Sequence, residues 1–145
     1  MVVEQLDSLY REVILDHFRE PRNAGELAAA TVKVDGANPL CGDEMTLWLK
    51  IDGGRIADVR FTGKGCAISQ AAASMLTEQI KSASVADAAK LIAAMKAMMQ
   101  GDAPDASVDL GDLEALAGVR KFPVRVKCAA LSWNVLEDAL EQARR

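Results

Sequence analysis

The Gly53-Gly54 pair limits most strongly what this chain can fold into. It lies in Asp52-Gly53-Gly54-Arg55, between two runs in which apolar and polar residues alternate. A two-residue hairpin turn needs positive φ at both central positions, and glycine takes up that conformation at no steric cost. Before the turn, Met45, Leu47, Leu49 and Ile51 share one parity; after it, Ala57, Val59 and Phe61 do. Side chains alternate faces along a strand, so each run presents one apolar face. The pattern predicts antiparallel strands over about 45–51 and 55–62. Thr31 to Gly36 also alternates, with Val32 and Val34 on one side, and predicts a short further strand. A three-stranded sheet with one apolar face needs a cover, and helices are what the rest of the chain offers.

Residues 3–18 read as a helix, with Leu6, Tyr10, Val13 and His17 at three- or four-residue spacing and Pro21 preventing continuation. Gly63-Lys64-Gly65-Cys66 permits a tight turn into a helix over Ala67 to Ile80, with Ile68, Ala72, Met75, Leu76 and Ile80 as its stripe. Ser84, with Asp87 three residues on, predicts a capped start for a helix carrying Val85, Ala88, Leu91, Ile92, Met95 and Met99. Residues 100–111 read as an exposed loop, and Leu113 to Leu116 as a short helix. Pro123 is expected to break the chain before a last helix from about Val126 to Arg144. Trp133, Leu136 and Leu140 form one stripe of that helix, and Cys128, Leu131 and Val135 its neighbour. Met95, Met98, Met99 and the two tryptophans are expected to be packing residues. The predicted fold class is α+β: a three-stranded antiparallel sheet packed against a cluster of helices, in one domain spanning residues 1–145.

The net charge of −4 gives no electrostatic case for binding nucleic acid or an anionic membrane. The N-terminus is acidic and amphipathic rather than a signal peptide, and no apolar run approaches membrane-spanning length. The expected compartment is the cytoplasm. Three cysteines cannot all pair within one chain, and reducing conditions disfavour even one disulfide. Reduced thiols follow, either as small packed hydrophobes or as ligands. The only histidine, His17, excludes a two-Cys-two-His finger and the His-rich hydrolytic zinc sites. It falls on the apolar face of the first helix, where a packed or helix-end histidine is expected rather than a ligand.

The chemistry concentrates elsewhere. Asn38-Pro39-Leu40-Cys41-Gly42-Asp43 reads as extended, which would point Cys41 and Asp43 to the same side. Cys66 opens a helix, where unpaired amides and the helix dipole favour a thiolate. Cys128, in Arg125-Val126-Lys127-Cys128, also lies near an expected helix start, with two cations beside it. Two readings stay open on the residues alone: buried thiols beside a turn aspartate, or one shared site. If the four residues converge, three sulfurs and one oxygen suit tetrahedral zinc. Lys64, Arg125 and Lys127 are placed to offset the excess negative charge. A lone carboxylate among thiolates would serve as an exchangeable arm.

Leu15-Asp16-His17-Phe18 with Pro21-Arg22-Asn23, the 38–43 segment, Gly63-Lys64-Gly65-Cys66-Ala67-Ile68-Ser69 and Arg125-Val126-Lys127-Cys128 together closely resemble the SufU family. That is the zinc-binding branch of the IscU/NifU-N superfamily of iron–sulfur cluster assembly. The resemblance covers nearly the whole chain. It implies an IscU/SufU-like α+β fold with Cys41, Asp43, Cys66 and Cys128 as the zinc ligands. It also implies a sulfurtransferase that takes persulfide sulfur from a PLP-dependent, SufS-like cysteine desulfurase and relays it to a SufBCD-like assembly complex. Cys41 is the persulfide carrier on that reading; Lys64, Arg125 and Lys127 tune the thiols or face a partner. The alternative is a scaffold that assembles an iron–sulfur cluster on the same ligands. Lys127 stands where IscU-type proteins carry histidine, and Phe122-Pro123-Val124-Arg125 keeps only a Pro-Val-basic core of their chaperone-recognition motif. An insertion around residues 100–119 also points to the SufU branch.

Overall fold

The computed structural model describes residues 8–144, so Leu6 and the first turn of the predicted N-terminal helix lie outside the described residues. Helix α1 covers Ser8–Arg19, strand β1 Val32–Asn38, β2 Asp43–Asp52 and β3 Arg55–Lys64. Helices α2 (Ala67–Ile80) and α3 (Val85–Met99) follow, then a 3-10 stretch over Gly111–Lys121 and helix α4 over Pro123–Ala143. The strands form one antiparallel sheet in the order β1-β2-β3. Gly53 and Gly54 both take positive φ, +58° and +78°, as the hairpin turn requires.

Each strand buries one parity. Val32 and Val34, then Met45, Leu47 and Leu49, then Val59 and Phe61 face the core. In β3 the expected parity fails at Ala57. Ile51 pairs with Ile56 while Lys50 pairs with Asp58, so Ala57 is an extra residue in the ladder. This bulge turns Ala57 outward to solvent and puts fully buried Ile56 in its place. Both β1 and β2 also reach further towards residues 39–42 than alternation predicts, because polar Asn38 and Asp43 still pair across the ladder.

α2 and α4 cover the apolar face, α4 against β1 and β2 and α2 against β3. Eleven of the fourteen α2 residues are buried, so the predicted stripe understates it: α2 is the central helix, wedged among α1, α4, β3 and the 3-10 stretch. Its small residues Ala71, Ala72, Ala73 and Ser74 let those neighbours approach closely. Ser84 caps α3 as expected, its side chain accepting from the Asp87 N–H. The expected break at Pro123 is instead the start of α4. Proline is favoured at the first helical position, where its missing N–H would be unpaired anyway and its fixed φ already suits the helix. No described helix is long and apolar enough to cross a membrane.

Candidate metal centre

Three backbone segments meet at one end of the sheet. The link between β1 and β2, residues 39–42, is a turn rather than the expected extended run, and Gly42 closes it with φ +72°. Cys41 sits on that turn, half-buried. Asp43 is the first residue of β2 and, on the parity of Met45 and Leu47, points into the core, where it is fully buried. Cys66 is the N-cap residue of α2. Cys128 lies in the second turn of α4, fully buried.

The Cys41 and Cys128 sulfurs and an Asp43 carboxylate oxygen all lie within 4.8 Å of one another. Both sulfurs approach the carbonyl oxygen of Val124 in the first turn of α4, Cys41 at 4.0 Å and Cys128 at 3.7 Å. The Cys66 sulfur is not in this set, but Cys66 acts electrostatically on both Cys128 and Arg125. Its backbone N–H donates to Asp43 Oδ1 at 3.1 Å. The Ser69 hydroxyl, on the first turn of α2, lies 3.1 Å from the same oxygen. The Asn38 amide donates towards Asp43 Oδ2 at 3.4 Å and towards the Cys128 sulfur at 3.9 Å. Ser69 is the residue that sequence reasoning does not single out. Its signals are its place at the end of the 63–69 motif and three residues after Cys66, where a side chain on the first helical turn faces back over the cap.

The three expected cations separate. Arg125 Nη1 lies 3.8 Å from the Cys128 sulfur. Its pKa is raised by that hydrogen bond, and the charges of Cys66, Cys128 and Cys41 act the same way, though partial burial opposes them. Lys64 is exposed and bonded instead to Glu44 Oε2 at 2.9 Å, which raises its pKa. The ladder pairs Glu44 with Lys64, and Glu44 follows Asp43 on the opposite face of the strand. Lys127 is exposed. The expectation of a lowered thiol pKa fails at Cys128: burial pushes this thiol up, and Cys41, Asp43 and Cys66 add to that, while Arg125 opposes them. The physical reason is position. With α4 starting at Pro123, Cys128 lies beyond the unpaired amides of the first turn and inside the core.

A buried carboxylate beside a buried thiol is costly without a cation to share. Tetrahedral zinc with Zn–S bonds of about 2.3 Å holds its sulfurs about 3.8 Å apart, which this spacing accommodates. The donor set therefore fits a soft-to-borderline divalent metal.

A second set of ligating groups, His17, Glu78 and Asp112, also comes within 4.8 Å. Its hydrogen bonds account for it. His17 Nδ1 lies 2.8 Å from Ser74 Oγ and Nε2 2.8 Å from Asp112 Oδ2, and Arg22 stands 3.9 Å from Glu78. His17 is fully buried, as a packed histidine, and stands apart from the thiols.

Residues 9–140 match the family model for the NifU-like N-terminal domain. The chain is 52% identical over 135 residues to the zinc-dependent sulfurtransferase SufU of Bacillus subtilis, covering 93% of this chain and 91% of that protein. It is 39% identical over 143 residues to the iron–sulfur cluster assembly scaffold protein IscU of Streptococcus pyogenes, covering 99% and 89%. Among solved structures it superposes with a TM-score of 0.85 on a Fervidobacterium islandicum chain, a candidate iron–sulfur cluster assembly scaffold of the SUF system. That match has 39% identity and covers 89% of this chain and 94% of that one. With the family model matched over residues 9–140, 52% identity to one relative across most of both chains and the fold superposed, this chain belongs to the NifU-like N-terminal domain family.

Proposed function

We propose that this chain acts as a single-domain, zinc-dependent sulfurtransferase. It takes sulfane sulfur from the persulfide of a PLP-dependent, SufS-like cysteine desulfurase and relays it to a SufBCD-like cluster-assembly complex. One observation carries the reading: two sulfurs and a buried carboxylate oxygen within 4.8 Å, in a chain whose 52%-identical relative is named a zinc-dependent sulfurtransferase. Cys41, Asp43, Cys66 and Cys128 are the proposed ligands, with Cys66 completing the set from the N-cap of α2. Bound zinc would keep the coordinating sulfurs deprotonated at neutral pH.

The chain's own residues divide the work. Cys41 is the nucleophile in this reading: it is half-exposed on a turn, whereas Cys66, equally half-exposed, is fixed as the N-cap of α2 and Cys128 is buried. Its thiolate attacks the outer sulfur of the desulfurase persulfide. A sulfur–sulfur bond forms on Cys41, the partner's sulfur–sulfur bond breaks, and the partner cysteine leaves as a thiolate, so no oxidant is needed. Arg125 offsets the negative charge at the sulfurs. Exposed Lys64 and Lys127 are assigned to the partner-facing surface, beside exposed Leu40 and Val124.

The test mixes the purified chain with a cysteine desulfurase and cysteine, traps thiols by alkylation and locates added sulfur by mass spectrometry. The expected result is one extra sulfur on the Cys41 peptide. Cys41→Ala, Cys66→Ala and Cys128→Ala should each abolish stimulation of the desulfurase. Undiminished stimulation by any of the three would overturn the shared site. A brown chain carrying an iron–sulfur cluster after anaerobic purification would favour the scaffold role named for the IscU relatives.

A further inference from the structure

The two oxygens of Asp43 are not equivalent. Oδ1 receives the Cys66 N–H at 3.1 Å and lies 3.1 Å from the Ser69 hydroxyl. Gly65, at φ +150°, packs so closely that a Cβ there would collide with Oδ1 and stand 2.7 Å from Ser69 Oγ. Oδ2 has the long 3.4 Å contact from Asn38, whose amide also reaches towards the Cys128 sulfur, and the Asp43 carboxylate is hydrogen-bonded to the Cys128 thiol. One oxygen is thus enclosed by the start of α2, and the other is left facing the thiols.

Ser69 has a competing acceptor, the Cys66 carbonyl at 3.0 Å, which an ordinary helix serine would use. Its single proton must choose between them. A hydrogen bond to an ionised oxygen is roughly twice as strong as one to a neutral carbonyl, which favours Asp43. Both residues are buried, so water does not compete for either.

We infer that Ser69 is a positioning residue for the metal centre: with the Cys66 backbone N–H it engages Oδ1 and so fixes Asp43 as a single-oxygen ligand through Oδ2. This rests on the metal reading proposed above. It also changes the role expected of the carboxylate. Asp43 is a held arm rather than an exchangeable one, and release of a ligand falls to Cys41 on its half-exposed turn.

The test measures zinc affinity by competition with a chromophoric chelator for the full chain, Ser69→Ala, Asp43→Ala and the double variant. Loss of a residue that orients a ligand typically weakens metal binding about 10- to 100-fold. Ser69→Ala should weaken zinc binding about tenfold or more, and Asp43→Ala further. The double variant should bind no more weakly than Asp43→Ala alone, because Ser69 acts through Asp43. With cobalt(II) in place of zinc, Ser69→Ala should move the ligand-field bands and leave the thiolate charge-transfer intensity intact. Ser69→Thr, which keeps the hydroxyl, should restore affinity. Unchanged affinity in Ser69→Ala would overturn the inference, as would losses that add in the double variant. Wild-type affinity in Asp43→Ala is a different result: it would remove Asp43 from the ligand set and with it the reading beneath.

Discussion

Both ring nitrogens of His17 have partners 2.8 Å away, one on α2 and one on the 3-10 stretch. A carboxylate only accepts, so Nε2 donates to Asp112, while Nδ1 is paired with the Ser74 hydroxyl. Ser74 in turn accepts the Arg22 N–H at 2.8 Å, which ties the Pro21-Arg22-Asn23 segment into the same chain of bonds. No buried side-chain nitrogen or oxygen among the described residues lacks a partner. His17→Leu would leave Ser74 and Asp112 short of one. It should lower unfolding stability by about 2–4 kcal/mol, as the cost of a broken buried bond plus imperfect packing. Denaturant unfolding reads the first effect, and zinc content should stay at its wild-type level. A variant of wild-type stability that had lost zinc would make His17 a ligand after all. That this histidine packs is legible from its place on an apolar helix face. Its partners are not, since they lie 57 and 95 residues away.

Element boundaries follow local chemistry where that chemistry is self-contained. Ser84 caps α3 because its hydroxyl oxygen reaches the Asp87 N–H at 3.0 Å. Ser84→Ala should therefore cost about 1 kcal/mol, or roughly 4 °C in melting temperature for a chain of this size. Zinc affinity should not change, and scanning and titration calorimetry of the variant against the wild type check the pair of claims. The boundaries fail where tertiary contacts take over. Ala57 is displaced by the bulge that lets Ile56 pack, and the short helix expected over Leu113 to Leu116 becomes an eleven-residue 3-10 stretch burying Leu113, Leu116 and Val119. Gly36 reads as an ordinary strand glycine, yet a Cβ there would collide with Val135 of α4. The close crossing of α4 over β1 is what requires it, and no local pattern announces that.

At the scale of the whole molecule, the candidate ligands come from the β1–β2 turn, the start of β2, the cap of α2 and the second turn of α4. An ion held by all four would cross-link segments 87 residues apart in sequence, Cys41 to Cys128. Binding only the folded state stabilises it by about 2.7 kcal/mol when free ligand is at 100 times Kd. Adding zinc to the metal-free chain should therefore raise the melting temperature by roughly 10 °C, measured by calorimetry, and Cys128→Ser should remove most of that rise. An equal rise in Cys128→Ser would place the stabilising ion elsewhere.

What the sequence alone determined was periodic or local: the Gly-Gly hairpin, the apolar parity of β2, the span of α2 and the serine cap of α3. Each depends on residues a few positions apart, so spacing encodes it. Only the tertiary structure decided that Cys128 is buried in the second turn of α4 and that Arg125, not Lys64, reaches a sulfur. It also decided that Ser69 and the Cys66 N–H grip one oxygen of Asp43. Those facts depend on how α2 and α4 settle against the sheet, and packing between distant segments leaves no period in the chain to read.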